Sequence, residues 1–393
     1  MSNFEKQIHQ RELRKTIEEM PVSQIREIAN EAIGLDDMIP LWFGEPDIST
    51  PKFICDSAIR SMMDGQTFYT PNRGIPELRQ AIMSYTSKLY GISMTMDRVT
   101  VMASGMSGIM ISHQLLVEPD MNVVCPTPLW PNIRGTVDIL GGNWRPVDLR
   151  LIENSWHLDL DQLYDSVNEK TRVVFINSPN NPTGWTMSSE QQKALLDFCR
   201  KRGIWLLADE VYARIVYDKQ HAPSFLEHAD PEDRLIIINS FSKPWAMTGW
   251  RLGWLITPQR FGKTLENMNE FNFAGAATFT QFAGVTALED GEDFIKQQIT
   301  RYRKARDLVY QRLSSNPRIR MGWPEGAFYA FFHVEGVADA LGFCKELANN
   351  ARVGLAPGIT FGAREDGWLR LCFANQIDTL NMALDRLEQH LPS

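Results

Sequence analysis

Between residues 98 and 257 the chain alternates short apolar runs with stretches of helical periodicity. RVTVMA (98–103), MNVVC (121–125), RVVFIN (172–177), IWLLA (204–208), RLIIIN (234–239) and LGWLIT (252–257) are bounded by Gly, Pro, Asn or Asp. Continuous apolar runs of this length read as strands buried on both faces. The clearest intervening helix is SSEQQKALLDFCRKRG (188–203), with Ser189 placed to cap its start and Gly203 to end it. Alternation of this kind implies a mostly parallel sheet covered by helices.

The two ends read differently. Residues 1–50 hold helix-like text and then PLWFGEPDIST. Near the other end a long charged helical pattern, IKQQITRYRKARDLVYQRLSS, precedes strand-like AFYAFFHV and WLRLCFA and an amphipathic IDTLNMALDRLEQHL. The expected fold is α/β. A large domain at 51–288 carries a mostly parallel seven-stranded sheet covered by helices. A smaller α+β domain is formed from both termini, 1–50 and 289–393.

A length of 393 residues accommodates this division, at about 150 residues per domain. A net charge of −8 leaves no basic surplus to neutralise phosphates, which excludes nucleic acid as the main partner. No apolar run approaches the ~18 residues of a membrane span. The opening MSNFEKQIHQRELRKTIEEM mixes both charge signs and has no signal-type apolar core. Cys55, Cys125, Cys199, Cys344 and Cys372 are scattered, with no CxxC pair, and read as free thiols of a cytoplasmic protein. The seven histidines show no metal-ligand spacing, so no metal is expected.

Open parallel sheets bind ligands at the carboxyl ends of their strands. IWLLA is followed by Asp209-Glu210-Val211-Tyr212, and RVVFIN by SPNNPTG with Asn181. RLIIIN is followed by SFSK with Ser240, Ser242 and Lys243, and Arg251 lies eight residues beyond that lysine. VTVMA leads into SGMSG, and VVC into PTPLWP with Trp130. Each feature alone has a plain reading: a solvated lysine, a capping aspartate, a turn, a core tryptophan. Together they suit pyridoxal phosphate, which needs a lysine amine, a carboxylate facing the ring nitrogen and a phosphate cradle. Asp209 is placed for the nitrogen. The glycine-rich helix start at 105–108 offers N–H groups to the phosphate, and Ser240, Ser242 and Arg251 add a hydroxyl and a bidentate charge. Trp130 is placed to stack on the ring, and Asn181 and Tyr212 to meet its phenolate oxygen.

The chain resembles the class I/II aminotransferases, fold-type I pyridoxal-phosphate enzymes of the aspartate aminotransferase kind. The likeness covers nearly the whole sequence. It runs in order through FGEPDISTP, YTPNRGIPELR, ASGMSG, NSPNNPTG, ADEVYA, SFSKPWAMTGWRLGW, PEGAFYAF, APGITFG and WLRLCFA. The resemblance implies that Lys243 bonds the cofactor and moves the proton, Asp209 pairs the pyridine nitrogen, and Asn181 and Tyr212 hold the phenolate oxygen. It implies that Trp130 stacks on the ring, and that the backbone at Gly105, Met106 and Ser107, with Ser240 and Arg251, holds the phosphate. Tyr69 would reach the phosphate of a neighbouring subunit, so a homodimer with shared active sites is implied. Arg370 would clamp the α-carboxylate of an amino acid or 2-oxo acid substrate, close to Gly44; read from the residues alone, it is an inward arginine paired structurally. The phosphate loop departs from many relatives in reading SGMSG, and ENMNEFNFAGAATFTQ (266–281) holds no arginine or lysine for a distal carboxylate.

The reaction this implies is transfer of an amino group from an L-amino acid to a 2-oxo acid. Trp42, Phe43, Phe68, Trp130, Trp245, Phe271 and Phe273 are candidate mouth residues that point to an apolar or aromatic donor, although packing in the core or a dimer interface explains them equally. A β-carbon–sulfur lyase or a cyclopropane-carboxylate synthase would use the same scaffold. A non-catalytic pyridoxal-phosphate regulator is a third reading, disfavoured because the first forty residues are too short and mixed in charge for a DNA-binding domain.

Overall fold

The computed structural model describes residues 13–392; the first twelve residues of the helix-like, mixed-charge opening, and Ser393, lie outside them. The main sheet has the strands β1 (Val99–Met102), β2 (Asn122–Thr127), β3 (Asn143–Ile152), β4 (Ser155–Leu158), β5 (Thr171–Asn177), β6 (Trp205–Asp209), β7 (Leu235–Ser240) and β8 (Gly253–Ile256). Their spatial order is β1-β8-β7-β6-β5-β2-β3-β4. Pairings from β7 through β3 are parallel, β8 runs antiparallel to both of its neighbours, and β4 is antiparallel to β3. The sheet therefore has eight strands where seven were expected. The added one closes a hairpin whose residues alternate, exposed Ser155 and His157 with buried Trp156 and Leu158, so it lacks the continuous apolar run of a central strand.

The central strands are apolar throughout because helices cover both faces. Val173, Val174, Phe175, Ile176, Leu206, Leu207, Ile236, Ile237 and Ile238 are fully buried. One covering helix, Ser189–Arg202, begins one residue earlier than its sequence suggests. Its cap is Ser188, whose Oγ accepts from the Gln191 amide at 3.2 Å, while Ser189 is its first helical residue. Gly203 ends it at φ 67°, where a side chain would be strained.

A second, antiparallel sheet has β9 (Ile319–Met321), β10 (Tyr329–Val334), β11 (Ala356–Pro357) and β12 (Trp368–Cys372) in the order β9-β10-β12-β11. Helices Glu292–Ser314 and Ile377–Gln389 pack together, joined by Arg312 to Asp385 and Glu388. Ile39–Pro40 pairs in parallel with Val353–Gly354, tying the early chain to this late segment. Among the described residues no helix is long and apolar enough to cross a membrane.

Candidate active site

The carboxyl ends of β5, β6 and β7 lie side by side, with Asn177 opposite Asp209 and Asp209 opposite Ile238 in register. This register sets Asp209 at the floor of a cavity of about 280 Å³. β7 delivers Ser240 and, past its end, Ser242 and Lys243 to the same cavity; β12 delivers Arg370 from the second sheet. The segment after Pro40 contributes Gly44, and the loop after β2 contributes Trp130.

Lys243 Nζ donates to the Gly44 carbonyl at 2.6 Å and lies 5.7 Å from the Tyr212 ring centre. Part of the side chain opens to the cavity, but the ammonium sits deep in the molecule. Desolvation, reinforced by Arg370 and Arg251, lowers its pKa to about 8. Gly44 is required where it stands, because a Cβ there would collide with the Tyr329 hydroxyl. Asp209 is 3% exposed. Its Oδ1 accepts from the Val211 amide at 3.3 Å, and among the described residues no basic side chain forms an ion pair with it. Burial raises its pKa to about 7 against the opposing pull of that amide and of Lys243.

Asn181 is held by its own backbone, whose N–H donates to Asn177 Oδ1 at 2.8 Å. Its Oδ1 then accepts from Arg370 Nη1 at 2.9 Å. Arg370, 2% exposed, also donates through Nη2 to the Trp42 carbonyl, and its Nε is buried without a partner. The Tyr212 and Tyr329 hydroxyls share a hydrogen bond of 2.6 Å, and burial holds the Tyr212 pKa well above its usual value.

Helix Gly105–Leu116 starts at the cavity wall with Gly105 and Met106 facing in. A Cβ on Gly105 would press on Ser240 Cβ at 3.3 Å, and one on Gly253 would lie 2.8 Å from the Gly105 amide nitrogen. These absent side chains let β7, β8 and the helix start close on one another. Ser240 Oγ donates to Ser242 Oγ at 2.9 Å, and Arg251 Nη1 donates to the Thr248 carbonyl at 2.6 Å, holding the guanidinium at the cavity edge.

Two of the expected residues do not line this chain's own cavity, although for Tyr69 the expectation is the phosphate of a neighbouring subunit. Ser107 is consumed by a capping box: its amide donates to Ser104 Oγ at 2.9 Å, and its own Oγ accepts from the Ser104 amide at 2.8 Å. Tyr69 is 95% exposed and lines a separate depression with Phe68 and Phe273. Of the seven candidate mouth aromatics only Phe43 and Trp130 line the cavity. Trp42 and Trp245 are buried, and Phe271 is exposed on the surface. Sequence reasoning missed Asn177, Tyr329, Ile25 and Arg26, all of which line it. Asn177 was findable as the last residue of an apolar strand beside Asp209.

The donor set fits pyridoxal phosphate on this chain's own chemistry. Asp209 is a buried carboxylate lacking a cation, Lys243 a desolvated amine, and the Gly105 helix start with Ser240 and Arg251 an anion cradle. The model of the aminotransferase class I and II family matches residues 36–387. The chain belongs to that family. It is 36% identical over 374 residues to an aspartate aminotransferase of Pyrococcus horikoshii, covering 94% of each chain. It is 32% identical over 376 residues to aromatic-amino-acid aminotransferase 2 of Thermococcus litoralis, covering 94% of this chain and 95% of that one. The crystal structure of an aspartate aminotransferase from Thermotoga maritima superposes with a TM-score of 0.89 at 32% identity, over 96% of this chain and 99% of that one. The protein is thus an α/β, pyridoxal-phosphate-dependent aminotransferase, and the lyase, synthase and regulatory readings are not favoured.

Proposed function

We propose that this aminotransferase takes the amino group of an apolar or aromatic L-amino acid and passes it to a 2-oxo acid, with Lys243 as the proton carrier. The observation that carries the proposal is the meeting, in one cavity, of a desolvated lysine, a cation-less buried aspartate and a buried arginine with a spare donor. Pyridoxal phosphate, when bound, supplies an aldehyde that bonds amines and a ring that accepts the electron pair left when a proton leaves the substrate Cα. Asp209 would hold the ring nitrogen protonated, and Asn181 and Tyr212 would donate to the phenolate oxygen. Trp130 would lie against the ring. The backbone at Gly105 and Met106, with Ser240 and Arg251, would bind the phosphate. Lys243 Nζ moves a proton to and from the substrate Cα, aided by a pKa near working pH.

Arg370 binds the substrate α-carboxylate beside Gly44, with Asn181 fixing its guanidinium plane. Arg370→Lys is expected to raise the apparent KM for every amino donor about 10- to 100-fold while the cofactor spectrum is unchanged, because lysine lacks the planar fork. Titration of donors by absorbance checks it; loss of cofactor or of the fold would make the arginine structural.

The apolar or aromatic preference rests on Ile25, Phe43, Met106 and Ile109 in the cavity wall. Exposed Phe68, Tyr69 and Phe271 support a homodimer in which Tyr69 reaches the neighbouring subunit's phosphate. We place residues 51–288 in the large domain and 1–50 with 289–393 in the small one, supported by the two separate sheets and the pairing of Ile39–Pro40 with Val353–Gly354. Five free cysteines support a cytoplasmic location.

The test is a half-reaction with donor and no oxo acid. The expected result is one amino transfer per site and then arrest, with apolar or aromatic donors used at least as well as aspartate. Continuous ammonia release would reject transamination as the main activity. Aspartate ahead of all apolar donors by orders of magnitude would reject the side-chain preference alone.

A further inference from the structure

Tyr329 is buried and lines the cavity, yet the proposed function, on which this inference rests, gives it no task. Its hydroxyl meets that of Tyr212 at 2.6 Å. The two phenols come from different sheets: Tyr212 follows β6 of the main sheet, and Tyr329 opens β10 of the second. The backbones that carry them are joined. The Ala327 amide donates to the Ile215 carbonyl at 2.8 Å, and Val216 pairs with Gly326. The Tyr329 ring is held as well. The Arg370 guanidinium lies 4.7 Å from its centre, the Tyr212 ring stands at 80° to it, and its hydroxyl abuts Gly44 so closely that a Cβ there would collide.

A phenol has one proton to give and lone pairs with which to accept, so a single bond between two phenols has a direction. Burial raises the pKa of both, and both keep their protons. Among the described residues neither hydroxyl has another hydrogen-bond partner. The charged and titratable groups that face the pair, Arg370, Lys243, Asp209, Glu45 and Cys372, all bond elsewhere. With Tyr212 as donor to Tyr329, the Tyr329 proton would lie buried without an acceptor, and the cofactor's phenolate oxygen would lose a donor. With Tyr329 as donor, every group is satisfied. Tyr212 is then free to donate to the phenolate oxygen, and does so more strongly because its own oxygen accepts.

We infer that Tyr329 is a positioning residue for the reaction: its hydroxyl donates to Tyr212 and so aims the Tyr212 proton at the phenolate oxygen. Donation to that oxygen draws charge away from the nitrogen that joins the cofactor to Lys243 and makes that nitrogen less basic. Tyr329 thus acts on the cofactor through Tyr212.

The experiment is a visible-absorbance pH titration of the holoenzyme, without substrate, for wild type, Tyr329→Phe, Tyr212→Phe and the double variant. Phenylalanine keeps each ring, with its packing on Phe328, and removes only the hydroxyl. The midpoint of the cofactor's colour change is expected to rise by about 0.5–1 pH unit in Tyr329→Phe and by more in Tyr212→Phe. The double variant should match Tyr212→Phe alone, because Tyr329 has nothing to act through once that hydroxyl is gone. An unshifted midpoint in Tyr329→Phe overturns the inference. So does a Tyr329→Phe shift that persists in full in the Tyr212→Phe background, since the hydroxyl would then act on the cofactor directly. An unshifted midpoint in Tyr212→Phe would refute the proposed role of Tyr212 and this inference with it. Because no substrate is present, the donor preference in the proposed function can fail while this inference stands.

Discussion

Lys243→Ala is expected to bind pyridoxal phosphate without a covalent bond and to lose turnover by about 10⁴-fold or more. Under the proposed roles the same amine bonds the cofactor and shuttles the proton, so two contributions would vanish together. Its pKa of about 8 matters for both. At pH 7 about one Lys243 in ten is neutral, against about one in three thousand for an ordinary lysine, so the nucleophilic form is ready without a separate base. The amine is also aimed: its 2.6 Å hydrogen bond to the Gly44 carbonyl extends it across the cavity from the end of β7. Borohydride reduction of wild type should fix a pyridoxyl group on the peptide containing Lys243, read by mass spectrometry. A label on any other lysine overturns the assignment, and so does near-normal turnover in the alanine variant.

What could be read from the sequence follows from how each residue is positioned. Asp209, Asn181, Ser240 and Lys243 follow runs that are apolar because both sheet faces are covered, so strand end and site coincide. The β3–β4 hairpin escaped because a sheet margin needs only alternating burial, and NWRPVDLRLI carries arginines at its open positions. Five of the seven mouth aromatics fall outside the cavity for a different reason. Apolar character marks burial, not which surface a ring faces, and Trp42 and Trp245 are buried in the core. Met106 and Ser107 are adjacent, yet only one lines the cavity, because Ser107 closes a capping box with Ser104. Arg26 carries no motif; only the folding of helix Gln24–Glu31 against the second sheet, with its acids turned to Lys345, leaves it beside Phe43.

Asp209→Ala should weaken cofactor binding and slow proton removal from the substrate, each by about 10²- to 10³-fold, since it strips a buried cation of its carboxylate. Asp209→Asn separates charge from packing, because it keeps the side-chain shape and the Val211 contact of 3.3 Å while removing the ion. It should lose nearly as much activity as the alanine variant, measured by rate of donor half-reaction; near-normal turnover in either would count decisively against the role. The stability of the cofactor-free protein should move the other way. The Asp209 pKa is raised from 3.8 to about 7 by burial, so the folded state holds its proton more tightly than the unfolded chain. The stability contributed by the protonated carboxyl is fully present below pH 3.8 and is lost as pH rises through about 7. Asparagine does not titrate, so the melting temperature of Asp209→Asn should exceed that of cofactor-free wild type at and above pH 7, with the difference shrinking as pH falls toward 4. A desolvated carboxylate held at the expense of the fold fits a cationic partner, and in the proposed function that partner is the protonated ring nitrogen of the cofactor. A pH-independent difference in melting temperature would mean that Asp209 titrates in the cofactor-free fold as it does in the unfolded chain, its charge already compensated, and the electron-sink role would lose its physical basis.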